Sequence, residues 1–131
     1  MEMYKENLLI RSKQSYGIIS QNIMKHSYIS AIAKALYAYL ASLAGSTNTT
    51  FMGQDQACHE MGINRNTLLR YMWELKCWQI IQVEQSRGEK SQYALNQYII
   101  NHCPEYIMME QSDFEENILP LLRKLIDSKN K

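Results

Sequence analysis

The sequence lacks most of the motifs that identify an enzyme or a cofactor-binding protein. None of its five glycines forms the G-x-G-x-x-G or G-x-x-x-x-G-K pattern of a phosphate-binding loop. Its three histidines show no H-x-x-x-H spacing, and no paired carboxylate or nucleophile constellation accompanies them. We therefore expect a protein without catalysis of its own, without a cofactor and without a bound metal.

Cysteines and long apolar runs are also scarce. Cys58, Cys77 and Cys103 form no C-x-x-C pair and lie far apart, so neither a zinc site nor a disulfide framework is indicated, and a reducing compartment is favoured. No apolar run has the length of a signal peptide or reaches the ~20 residues of a membrane span. A soluble cytoplasmic protein with no membrane partner is expected.

Charge of one sign is not in excess. The formal net charge is +1, from 14 Lys and Arg against 13 Asp and Glu, so total charge does not favour nucleic-acid binding. The distribution is uneven, because residues 1–52 hold five basic side chains against two acidic ones and residues 94–131 hold four against six. A few well-aimed cations suffice for phosphate contact. The 131 residues, 46% of them hydrophobic, suit one compact domain with an appended element.

The most informative segment of the sequence is residues 53–83, where the spacing of the hydrophobic residues changes. Ala57, Cys58 and Met61 fit a short amphipathic helix. Gly62 can adopt the positive φ that ends such a helix. A tight turn into a second helix is therefore predicted.

The second helix is predicted to begin after Asn64, whose side chain is a good N-cap. One face of this helix is apolar and the opposite face is polar, with its basic and amide groups toward the N-terminal end. The apolar stripe consists of Leu68, Met72 and Leu75. The polar face carries Arg65, Asn66, Thr67 and Arg70.

Beyond this helix the pattern indicates a β-hairpin. Residues 80–85 are β-branched and partly alternating, residues 86–91 are turn-forming and charged, and residues 91–96 return as the partner strand. The tip carries Arg87 and Lys90. Tyr93 and Leu95 of the returning strand are expected on one face.

The segments before this region predict a helix and two extended stretches. Residues 16–24 alternate as in a short extended segment, and Phe51–Met52 make a minimal strand able to pair with the hairpin. A helix from Ile29 to Gly45 is strongly indicated, with the apolar positions Ile32, Leu36, Leu40 and Leu43.

A final helix is predicted near the C-terminus. Ser112 and Glu115 have capping-box spacing, and Pro120 should kink or restart the helix. Its apolar stripe, formed by Phe114, Ile118, Leu122 and Leu125, either packs on its own domain or pairs with a second copy.

The order of these elements resembles that of winged helix-turn-helix domains. The likeness rests on the short helix, the Gly-Ile turn, Asn-Arg-Asn-Thr-Leu at 64–68, Met-x-Glu-Leu at 72–75 and the Ile-Ile strand, and it covers roughly residues 29–99. Residues 16–19 and 33–40 are similar to the N-terminal domains of phage and plasmid replication initiators, and the layout is shared with GntR-type and related bacterial regulators. The resemblance implies a mostly α fold with a small β-hairpin wing and an additional C-terminal helix. Its parts are an arm or short strand at 1–28, a winged helix-turn-helix domain at 29–100 and a C-terminal extension at 101–131.

What the resemblance implies for function is binding of double-stranded DNA, in replication initiation or transcriptional regulation of a phage, plasmid or other mobile element. The start of the second helix would contact the bases, and Arg70 and the wing would contact phosphates. The implied DNA-binding residues are Asn64, Arg65, Asn66, Thr67, Arg70, Arg87 and Lys90.

Two alternatives remain. In the first, the polar helix face and the charged turn are solvated surfaces without a ligand. In the second, the fold is a protein-interaction module that presents Trp73, Trp78 and the C-terminal helix to a replication protein. The near-neutral charge and Leu69, at an exposed helix position, favour this module. A homodimer through the C-terminal helix would let the protein read two half-sites.

Overall fold

The computed structural model describes residues 16–84 and 96–129, which form a mostly helical body with one small antiparallel sheet. The first half consists of α1 (Gln21–Lys25), α2 (Ala31–Ala44), β1 (Thr49–Met52), α3 (Gln54–Met61) and α4 (Arg65–Cys77). The second half consists of β2 (Ile81–Glu84), β3 (Asn96–Ile100), α5 (Glu105–Met108), α6 (Gln111–Asp113), a π-helical stretch (Phe114–Ile118) and α7 (Leu119–Ser128).

The segment before α2 differs from its prediction, because α1 is helical where an extended segment was expected. Ser20 Oγ accepts a hydrogen bond from the backbone N–H of Ile23 at 3.3 Å and caps the helix. Ile23 is fully buried, whereas Ile18 and Ile19 stay exposed. The alternation of this segment therefore does not correspond to one buried face of a strand.

Helix α2 stops at Gly45, as predicted, and begins at Ala31, two residues after the predicted start at Ile29. Ser30 Oγ accepts from the N–H of Ala33 at 3.2 Å, which satisfies one of the donors that the first turn leaves unpaired. Gly45, with φ of 66°, ends the helix.

The buried face of α2 agrees with the predicted stripe in part. Leu36 and Leu40 are fully buried, as predicted, whereas Ile32 and Leu43 are exposed and Tyr37 and Ala41 are buried. Gly17 lies against Ala41 so closely that a Cβ at Gly17 would sit 2.1 Å from the Ala41 carbonyl oxygen. Glycine at this position therefore lets the preceding segment lie directly on this helix.

The sheet has β3 at its centre, in the order β1-β3-β2. Thr49 pairs with Ile99, and Ile81 pairs with Ile100. The pairing confirms that the short strand around Phe51 joins the hairpin. The returning strand was predicted at 91–96, of which residues 91–95, including Tyr93 and Leu95, lie outside the described residues; the strand that pairs with β2 is Asn96–Ile100, which buries Tyr98 and Ile100.

The C-terminal helical segment does not begin with the predicted capping box. Ser112 lies inside α6, which starts after Glu110 without a side-chain cap. The helix then widens, so that the N–H of Leu119 donates to the carbonyl of Phe114 five residues earlier. Pro120 explains the widening, because its ring clashes with a regular α-turn and it lacks an N–H. Helix α7 begins at Leu119, next to Pro120, so the helix restarts at this proline as predicted.

The core places the C-terminal segment against the rest of the chain. Trp78 is only 1% exposed. Its ring stacks on Phe114, with centroids 5.3 Å apart, and meets the edge of the His26 ring at 4.9 Å. Leu122 is buried and Leu125 is 52% exposed. The C-terminal stripe therefore packs on its own domain at Phe114 and Leu122 but not at Leu125.

Candidate nucleic-acid interface

The turn between α3 and α4 has the predicted geometry. Gly62 ends α3 in the left-handed region, with φ of 70° and ψ of 36°, and the N–H of Ile63 donates to the Cys58 carbonyl at 3.1 Å. Asn64 Oδ1 accepts from the N–H of Thr67 at 2.8 Å and caps α4. These contacts fix the start of α4 relative to α3.

Helix α4 has one buried and one exposed face. The buried residues of the predicted stripe are Leu68, Met72 and Leu75. The exposed residues at its N-terminal end are Asn64, Arg65, Asn66 and Arg70, and Thr67 is half-buried. Leu69 is exposed as well, as predicted.

Glu74, whose buried position was not predicted from the sequence, determines the charge of the exposed face. It is the only acidic residue of α4, and it is only 8% exposed. Its carboxylate accepts from the backbone N–H of Ser30 at 3.0 Å and from Ser30 Oγ at 2.8 Å. The charged side chains that α4 exposes are therefore Arg65, Arg70 and Lys76, all basic.

A groove with a volume of about 630 Å³, which we call the α4–sheet groove, lies between α4 and the hairpin strands. Asn66, Arg70 and Lys76 line it from α4, and Val83, Asn96 and Tyr98 line it from β2 and β3. Lys129, which follows α7, also lines the groove. The guanidinium of Arg70 lies 5.4 Å from the centroid of the Tyr71 ring.

The predicted site residues divide into three groups. Asn66 and Arg70 meet in the α4–sheet groove. Asn64, Arg65 and Thr67 lie beside it at the start of α4. The predictions for Arg87 and Lys90 fall outside the described residues.

The two tryptophans have different environments. Trp73 is half-buried in the groove wall, and its indole N–H donates to the Leu125 carbonyl at 3.0 Å. The ammonium of Lys129 lies 4.4 Å from the centroid of the Trp73 ring. Trp78 is buried in the core. The alternative in which Trp78 is presented to a partner is therefore wrong for this residue, because stacking on Phe114 covers it.

The histidines occupy separate environments. His26 lies among aromatic rings, and burial lowers its pKa, with the charge of Lys34 adding to the effect. The Nδ1 atom of His102 lies 2.5 Å from the hydroxyl of Tyr37, whose pKa burial raises. His59 is exposed on α3. The three are thus not gathered into one site.

Comparisons of the chain with protein-family models, curated proteins and solved structures find no match. Across residues 16–84 and 96–129 no group of three or more His, Cys, Asp or Glu is placed to hold a metal ion. No helix in the same ranges is long and apolar enough to cross a membrane.

Proposed function

We propose that the chain is a winged helix-turn-helix protein that binds double-stranded DNA, in replication initiation or transcriptional regulation of a mobile element. Helices α3 and α4 with their Gly62 turn supply the helix-turn-helix, and the β2–β3 hairpin supplies the wing. The observation that carries the proposal is the uniformly basic exposed charge of α4, which follows from the inward position of Glu74.

The mechanism places α4 in the major groove, which is about 12 Å wide and admits an α-helix of about 10–12 Å. Arg65 and Asn66 contact base edges, since arginine pairs with guanine and asparagine with adenine through two hydrogen bonds. Thr67 lies at the same readout end of α4, and Arg70 contacts phosphates and fixes the register. Arg87 and Lys90 extend the phosphate contact to the wing.

The experiment is fluorescence anisotropy with a mixed-sequence DNA duplex over a salt series. The natural chain should bind, with affinity that falls steeply as salt rises because counterions are released from the phosphates. A variant with Arg65→Ala and Arg70→Ala should bind at least tenfold more weakly. The matched control is Lys25→Ala with Lys124→Ala, which removes two other exposed cations and should change affinity little. Absence of binding at low salt, or equal loss in the control, would refute the proposal.

A second candidate, a protein-interaction module, is favoured by one observation on α7. Leu121 and Leu125 lie one turn apart and are 61% and 52% exposed. Such a face suits a second copy of the chain or a replication protein. The variant with Arg65→Ala and Arg70→Ala separates the two candidates, because it should lose DNA but retain a partner held through α7.

A further inference from the structure

We infer that Lys129 is a DNA-phosphate contact of the α4–sheet groove and that Trp73 is its positioning residue. This inference rests on the proposed function and adds α7 to the DNA-contact surface. It also gives the C-terminal helix a role other than pairing two copies.

The chemistry of the groove lining points to a polyanion. The charged residues among its described lining are Arg70, Lys76 and Lys129, and that part of the lining contains no carboxylate. Arg70 and Lys76 lie six residues apart on α4, or about 9 Å along the helix axis. Lys129 adds a third cation from a different element. Cations along one concave surface suit a phosphate backbone better than a single small anion.

Two contacts bring Lys129 to this surface. The Trp73 indole N–H donates to the Leu125 carbonyl at 3.0 Å, which ties the last turn of α7 to α4. The Lys129 ammonium then lies 4.4 Å from the Trp73 ring centroid, where the negative face of the ring attracts it. A lysine held on a ring loses less rotamer freedom when it binds a phosphate than a free lysine does.

The charges that act on Cys77 agree with this arrangement. Burial raises the pKa of the Cys77 thiol, and the charge of Glu74 adds to the rise. The charges of Lys129 and Lys76 oppose that rise. The positive charge at the C-terminal end of the groove therefore comes from α4 and α7 together.

The test compares Lys129→Gln with Lys124→Gln, which removes an equal charge from an exposed residue of α7 outside the groove lining. Anisotropy titrations are made with the DNA duplex over a salt series. Loss of one phosphate contact should make the negative slope of log K against log salt shallower by about 0.9 and weaken binding about eightfold at 0.1 M salt. Lys124→Gln should leave the slope unchanged, and Lys129→Arg should restore binding.

The role of Trp73 is tested by a double-mutant cycle. In a Trp73→Leu background, which removes both the ring and the indole N–H, Lys129→Gln should have little further effect. Trp73→Phe keeps a ring, so Lys129→Gln should retain most of its effect in that background. If Trp73→Leu does not fold, Trp73→Met, which also lacks the ring, replaces it. Additive effects of Lys129→Gln and the ring-free substitution would overturn the positioning role.

Two different failures are distinguishable. If the natural chain does not bind DNA at low salt, the proposed function fails. If it binds and Arg70→Ala weakens binding, while Lys129→Gln behaves like Lys124→Gln, only the inference about Lys129 fails.

Discussion

Replacement of Glu74 by alanine should destabilise the protein strongly, although glutamate in a helix is ordinarily a surface residue. Its carboxylate accepts two hydrogen bonds from Ser30, at 3.0 and 2.8 Å. A hydrogen bond to a charged group contributes about 1.5–3 kcal/mol. Ser30 is half-buried, so water restores part of the loss in the variant. We expect the free energy of unfolding to fall by about 3 kcal/mol, which corresponds to a Tm about 10 °C lower.

Glu74→Gln should have a smaller effect, about 1–2 kcal/mol, because the amide keeps the shape and one acceptor oxygen but loses the charge. The effect should also couple to Ser30. Ser30 Oγ already accepts from the N–H of Ala33, so it needs an acceptor for its own proton, and Glu74 provides it. A double-mutant cycle with Ser30→Ala should show coupling of at least about 1 kcal/mol.

The assay is urea denaturation followed by tryptophan fluorescence, since Trp78 is buried against Phe114 and becomes exposed on unfolding. Glu116→Ala, at an exposed position of the π-helical stretch, is the matched control. If Glu74→Ala and Glu116→Ala unfold within about 0.5 kcal/mol of each other, the buried hydrogen bonds do not stabilise the fold as inferred.

Two further predictions concern the α3–α4 turn and the aromatic core. Gly62→Ala should lower the free energy of unfolding by about 1–2 kcal/mol through backbone strain alone, because φ is +70° and no atom lies within 4 Å of an added Cβ. Gly62→Asn should lower it less. Equal urea midpoints for the two variants would contradict this prediction. His26 has a pKa lowered from 6.5 by burial and by Lys34, so the unfolded chain binds its proton more readily. Stability should therefore fall as pH drops below about 6.5, and a similar fall in His26→Phe would show that another group is responsible.

The elements that could be predicted from sequence are those set by neighbouring residues. Gly62 and Asn64 predict the α3–α4 turn because both act on backbone groups within three or four residues. Ser30 and Gly45 bound α2 for the same reason. The exposed basic face at the start of α4 follows directly from helix periodicity.

What could not be predicted depends on residues distant in sequence. Glu74 is buried because Ser30, 44 positions away, supplies its two donors. Trp73 meets Leu125 across 52 positions, and no local pattern indicates that contact. The location of β3 depends on strands that lie on both sides of it. The groove was missed because its walls come from α4, two strands and the chain after α7.

The central position of β3 also has a consequence for biosynthesis. When the ribosome has completed β1 and β2, neither strand has a neighbour, because both pair with the later strand Asn96–Ile100. Helices α2 to α4 form from local contacts and can be made first, whereas the sheet must wait. Phe114, which covers Trp78, and Lys129, which lines the groove, are made later still. A nascent chain therefore carries the basic helix α4 well before the sheet and the α4–sheet groove are complete.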